Sequence, residues 1–112
     1  MKYLAIIYND ESTYADATPE SVAAVFAAHG AFGEASREAG VFGGGDGLQP
    51  SNTATVVRVR DGERLLTDGP FAETKEQIGG YDLLECDDLD DAIGIAKSHG
   101  MGLLELRPLW AS

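Results

Sequence analysis

Residues 67–81 read Thr-Asp-Gly-Pro-Phe-Ala-Glu-Thr-Lys-Glu-Gln-Ile-Gly-Gly-Tyr, so three acidic side chains (Asp68, Glu73, Glu76), one lysine (Lys75) and a glycine pair share one short stretch. A connection between strands does not need that much chemistry. The chain also has two histidines, His29 and His99. A carboxylate that accepts from one nitrogen of an imidazole fixes the tautomer and raises the ring's basicity, which leaves the other nitrogen free as a base. His29 with Asp68 is therefore the candidate acid–base pair, although their spacing along the chain does not by itself bring them together. Each has a concrete structural alternative. An inward histidine is commonly a core residue bonded to a backbone carbonyl, and an aspartate before Gly-Pro commonly bonds its own backbone while proline pre-sets φ.

Lys75 could hold an anionic substituent or simply neutralise Glu73 and Glu76, an exposed arrangement worth about 0–1 kcal/mol. Gly79-Gly80 would let backbone approach a ligand closely, or form an ordinary bulge. His99, after Lys97 and Ser98, suits the carboxyl end of a helix, where a cation is favoured. Two isolated histidines without a cysteine cluster do not make a structural zinc site. There is no phosphate loop, nucleophile elbow or dinucleotide fingerprint, and no cofactor is implied.

Several elements must position these groups. Tyr3 to Tyr8 is continuously apolar and predicts a strand covered on both faces. Thr18-Pro19-Glu20 opens a helix, with Thr18 as N-cap and Pro19 at its first position. Val22, Val25, Phe26, His29, Phe32 and Gly33 form its inward stripe, and Gly40 stops it. Gly43-Gly44-Gly45-Asp46-Gly47 offers nothing to pack and is expected to be a flexible connector. Thr53 to Arg60 and Glu63 to Thr67 flank Asp61-Gly62, the signature of a two-residue hairpin turn. Gly79 to Cys86 is a third strand candidate. Asp87 or Asp88 then caps a helix with the stripe Leu89, Ala92, Ile93 and Ala96, closed by Gly100. Leu103 to Trp110 is the last strand, with Pro108 marking an edge or the end of pairing.

This order predicts one domain over residues 1–112, an α+β fold close to ferredoxin-like, with two helices on one face of an antiparallel sheet. The chain has 112 residues, which suffices for a conventional core. Cys86 has no partner within the chain, which suits a reducing compartment, and the apolar amino-terminal run is too short for a signal segment or a membrane span. A soluble, cytoplasmic protein is expected. A net charge of −11 would repel phosphate backbones and anionic membranes, so neither nucleic acid nor membrane is an expected partner.

Asp68-Gly69-Pro70-Phe71, followed by Glu73-Thr74-Lys75-Glu76 and Gly79-Gly80-Tyr81 and closed by Glu105-Leu106-Arg107-Pro108, resembles the YCII-related proteins, specifically the subgroup named for its Asp-Gly-Pro-Phe motif. The resemblance spans nearly the whole chain. It implies a ferredoxin-like fold of the dimeric α/β-barrel type, with a catalytic pair that falls on His29 and Asp68. One branch of YCII-like proteins eliminates chloride from a hydroxylated ring, and the wider group includes isomerases and cofactor-free oxygenases. The implied function is thus either cofactor-free, lyase- or isomerase-like chemistry on a small polar or aromatic molecule, or binding of one. Lys75, Arg107 and Tyr81 are then candidate substrate contacts. Members of the subgroup often accompany extracytoplasmic-function sigma factors, so the alternative is a non-enzymatic accessory or sensing module with a regulatory protein partner.

Two helices cover only one face of a sheet, yet the first strand is apolar on both sides and the later strands supply apolar groups to alternate faces. An uncovered apolar face is an association surface, so a homodimer packed sheet to sheet is predicted. Size-exclusion chromatography with light scattering should return the mass of two chains, and a monomer at micromolar concentration would remove the prediction.

Overall fold

A computed structural model of the chain describes residues 1–72, 74–97 and 103–110. Glu73, the cap assigned to His99 and the stop assigned to Gly100 lie outside these residues. The described elements are β1 (Lys2–Asp10), α1 (Pro19–Glu38), β2 (Phe42–Gly47), β3 (Thr55–Arg60), β4 (Glu63–Asp68), β5 (Glu76–Glu85), α2 (Leu89–Lys97) and β6 (Leu103–Pro108), with short 3-10 turns at Glu11–Asp16 and Ser51–Thr53. The main sheet is antiparallel with strand order β2-β5-β1-β6, and β3-β4 form a separate two-stranded sheet. With the hairpin set aside, strand, helix, strand, strand, helix, strand in this spatial order is consistent with a ferredoxin-like arrangement. The hairpin is therefore an insertion between β2 and β5.

Local chemistry explains most of the boundaries. Ser21 N–H donates to Thr18 Oγ1 at 3.1 Å, and Thr18 N–H donates to Ser21 Oγ at 2.9 Å, a reciprocal cap with Pro19 at the first helical position. Asp91 N–H donates to the Asp88 carboxylate at 2.9 Å, so Asp88 caps α2. Asp61 and Gly62 take φ values of 52° and 79°, the geometry expected of the hairpin turn. β6 lies at the sheet edge and ends at Pro108, where a missing N–H costs no ladder bond.

Alternation along β1 buries Tyr3, Ala5 and Ile7 on the helix-covered face and leaves Leu4 and Ile6 half-buried on the other. Opposite them, Leu84 pairs with Tyr3, Asp82 with Ala5 and Gly80 with Ile7. The core gathers Tyr3, Ala5, Phe32, Leu84, Cys86 and Ala92, with Leu104 and Leu106 packed against it from β6. Burial pushes the Cys86 thiol up, and nearby acidic side chains add to the rise, in keeping with its place in the core cluster.

Two expectations fail. The run 43–47 is not a connector: it is edge strand β2, antiparallel to β5 with a register shift between Phe42 and Gly45. Glycine is needed there for closeness, not looseness, because a Cβ on Gly45 would overlap Asp82 Oδ1 and stand 2.9 Å from its Cα. The stripe of α1 is also only partly inward. Phe32, Gly33 and Ser36 are buried, whereas Val22, Val25 and Phe26 are exposed, Phe26 at 73%, because the amino-terminal half of the helix has no core beneath it.

The hairpin is exposed on both faces. Val57, Val59, Leu65 and Leu66 all lie open, and a two-stranded ribbon alone is marginal in water. The chain is accordingly flat, 46 × 42 × 18 Å, with a radius of gyration of 16.0 Å against about 13 Å for a compact domain of this length. Leu84 is the largest fully buried aliphatic side chain of the core among the described residues. Leu84→Ala should cost about 2–5 kcal/mol in chemical denaturation, whereas truncating the exposed Leu66 should have a much smaller effect on an isolated chain.

Candidate functional site

Two cavities compete for the role of site, and they separate the candidate residues that they hold. The first, about 640 Å³, lies at the base of the hairpin and includes Asp10, Glu11, Ser12, Asp68, Gly69 and Lys75. The second, about 540 Å³, lies between α1 and the β2-β5 edge and includes Asn9, Phe26, His29, Arg37, Tyr81 and Asp82. His29 and Asp68 are thus not brought together within the chain, and neither a hydrogen bond nor an ion pair joins them. Lys75 is with Asp68, Tyr81 is with His29, and Arg107 lines neither cavity.

The hairpin-base cavity is polar, and most of its charges already have partners. Lys75 Nζ lies 3.9 Å from Asp10 Oδ2, and Asp10 Oδ1 accepts from both the backbone and the hydroxyl of Ser12. The Ser12 hydroxyl and backbone hold the Asp10 carboxyl below the ordinary carboxylate range. Glu11 takes the backbone and hydroxyl hydrogens of Ser51. The Asp-Gly-Pro turn closes this cavity without the expected bond from Asp68 to its own backbone. Gly69 instead adopts φ of 96° and its N–H donates to Ala54 O at 2.8 Å, which ties the end of β4 to the start of β3. Asp68 itself is exposed.

The cavity under α1 has the mixture expected of a ligand site, apolar walls with a few convergent polar groups. Ile7, Val25, Phe26 and Phe42 supply the walls. Arg37 lies over the Phe42 ring, its guanidinium carbon 4.6 Å from the centroid. Asn9 enters because alternation along β1 puts it on the face of Ile7, and β5 carries a bulge opposite: the pairing skips Gly79 between Ile7 and Tyr8, and a Cβ on Gly79 would overlap the Asn9 amide. Asn9 Oδ1 is buried without a hydrogen-bond partner among the described residues. His29 is half-buried, and no hydrogen bond to another described residue occupies its imidazole. Burial pushes the Asp82 carboxyl above the ordinary carboxylate range, the charges of His29 and Arg37 draw it back, and Asp46 adds to the rise. Tyr81 stands at the rim, with its hydroxyl 3.4 Å from Asp46 Oδ2.

Arg107 lies on the opposite face of the sheet, since its neighbour Leu106 packs against the core. There its guanidinium bonds Glu105, which also accepts from the Tyr8 hydroxyl at 2.9 Å. Arg107 and Tyr8 together hold the Glu105 carboxyl down, and the bond to Glu105 pushes the Tyr8 hydroxyl up.

Asp82, Asn9, Arg37 and Asp46 were not among the residues singled out from sequence. Asp82 left a signal: it sits two residues before Leu84 and two after Gly80, so strand alternation places it on the core side. Its folded form holds a proton more tightly than its unfolded form, so stability should fall as pH rises from the ordinary carboxylate range through the raised folded value. Asp82→Asn should flatten that part of the profile, measured as denaturation midpoint against pH, and should leave the chain more stable than wild type at neutral pH.

The model of the YCII-related domain matches residues 1–106. An uncharacterized protein of Rhizobium meliloti (strain 1021) is 37% identical over 114 residues, covering 97% of this chain and 92% of the relative. With a match that runs from β1 through most of β6, the chain belongs to the YCII-related family.

Proposed function

We propose that this protein binds a small polar or aromatic molecule in the cavity under α1 and that His29 exchanges a proton with it, without a redox cofactor. The observation that carries the reading is a half-buried imidazole with no hydrogen bond to another described residue, in a largely apolar cavity that also holds a carboxyl perturbed by burial. Lyase- or isomerase-like chemistry fits such equipment, because both need a proton moved and no electrons supplied. In this reading the chain is a member of the subgroup named for the Asp-Gly-Pro-Phe motif, a reading supported by Asp68-Gly69-Pro70-Phe71. Asp68 and Lys75 then serve the hairpin base rather than the imidazole, and Arg107 serves the open sheet face.

The functional unit in this reading is a homodimer of the dimeric α/β-barrel type, joined through the open sheet face. Leu4, Ile6, Leu83 and Leu103 provide its apolar surface, and Tyr8, Glu105 and Arg107 provide its polar network. The accessory-module alternative draws on a different observation, the exposed hairpin with its Val57, Val59, Leu65 and Leu66, which offers a ribbon to a protein partner. Titration of the protein with catechol and 4-hydroxybenzoate, followed by histidine NMR and thermal shift, separates the two. Proton exchange at His29 requires that a bound probe perturb the His29 ring and that His29→Ala abolish the thermal shift. In any turnover assay the variant should lose about 10² to 10⁴ in rate. Thermal shifts that survive intact in His29→Ala, with a ring that titrates as a free imidazole, leave the accessory module as the better account.

A further inference from the structure

Asp82 occupies a position where a charge is expensive. Its register partner Ala5 is fully buried, and Leu84, the next residue on the same face of β5, lies in the core. A half-buried carboxylate in a chain of net charge −11 needs a local cation, because the long-range field opposes it. Three charged side chains line the same cavity as Asp82 and bear on its charge: His29 and Arg37 from α1, and Asp46 from β2. Of the two favourable partners, Arg37 is already engaged over the Phe42 ring and against Gly33, whereas no described residue hydrogen-bonds the His29 ring.

The glycine run gives an independent reason to regard this carboxylate as seated on purpose. β2 passes so close to β5 that a Cβ on Gly45 would overlap both Asp82 Oδ1 and the Tyr81 carbonyl oxygen. Gly44, at the register shift, takes φ of 115°, a conformation that side chains disfavour. Without its side chains the strand loses apolar burial and backbone entropy, and it gains in return a pocket in which one carboxyl oxygen lies directly against the neighbouring backbone.

We propose that Asp82, rather than Asp68, is the carboxylate that works with His29, and that the glycines of β2 are there to seat it beside the cavity. Asp82 is a positioning residue: its charge stabilises the imidazolium that forms when His29 accepts a proton from a bound molecule. The proton stays on the imidazole until it is returned, so the pair needs no other reactant. The proposal rests on His29 being the proton-exchanging group, yet its test needs no ligand.

The side-chain carboxyl carbon of Asp82 is followed by 13C NMR against pH in the full chain, in wild type, His29→Gln and Asp68→Asn. The wild-type midpoint should lie above that of an ordinary aspartate. It should climb further in His29→Gln, where a favourable charge is gone, and stay in place in Asp68→Asn. Gly45→Ala should disturb the same titration by driving a Cβ into the carboxylate; if that variant does not fold, the His29→Gln comparison decides. An Asp82 midpoint that ignores His29→Gln, or that moves as much in Asp68→Asn, overturns the pairing. Loss of probe binding with the coupling intact would instead count against the functional reading alone.

Discussion

Strand β5 has a neighbour on each side, and what it can tolerate on either side shapes the molecule. Along one edge it pairs with β1, where alternation sends Leu84 into the core and Asp82 and Gly80 toward the cavity. Along the other it accepts β2 only because β2 has almost no side chains between Phe42 and Asp46. A residue of ordinary size at Gly45 would collide with Asp82, so the close β2-β5 approach and the carboxylate in the cavity belong to one arrangement. The bulge at Gly79 does the same for Asn9 on the β1 side. Glycine in a strand interior ordinarily weakens it. Here it lets polar groups occupy a sheet face that packing would otherwise fill with aliphatics.

The helices complete that face unevenly. Phe32, Gly33 and Ser36 lie on the core, but one turn earlier α1 has already left it, and His29 sits at the boundary. Its amino-terminal neighbours Val25 and Phe26 become walls of a cavity instead of core. A stripe of helical periodicity is the same in the sequence whether it meets a sheet or a void. For that reason the stripe from Val22 to Gly33 gave the correct face of α1 but not the depth at which each residue would lie.

The same limit explains what was legible elsewhere. Short-range signals transferred faithfully: the Thr18-Pro19 start, the Asp88 cap, the Asp61-Gly62 turn and Pro108 at an edge each depend on a few neighbouring atoms. The ferredoxin-like order of elements was legible too, although the hairpin stands apart from the main sheet. What could not be read was long-range pairing. Asp68 stood out because its turn is dense in chemistry, yet its neighbours are Asp10 and Lys75, brought there by the end of β1 and the start of β5. Asp82 was overlooked inside an apolar strand, although a charge between Gly80 and Leu84 on the inward alternation is the more unusual feature.

The two exposed regions have a common cause. One layer of helices cannot cover both faces of a sheet, and a ribbon of two strands cannot cover itself. Leu4, Ile6 and Leu83 on the open face, and Val57, Val59, Leu65 and Leu66 on the hairpin, are apolar in number and placement beyond what an isolated surface favours. The polar network of Tyr8, Glu105 and Arg107 sits amid the first group with its hydrogen bonds already satisfied internally, so closing a second surface over it would strand few polar atoms. The cavity under α1 lies on the opposite side of the sheet from that network. Covering the open face would therefore leave the cavity that holds His29 and Asp82 accessible.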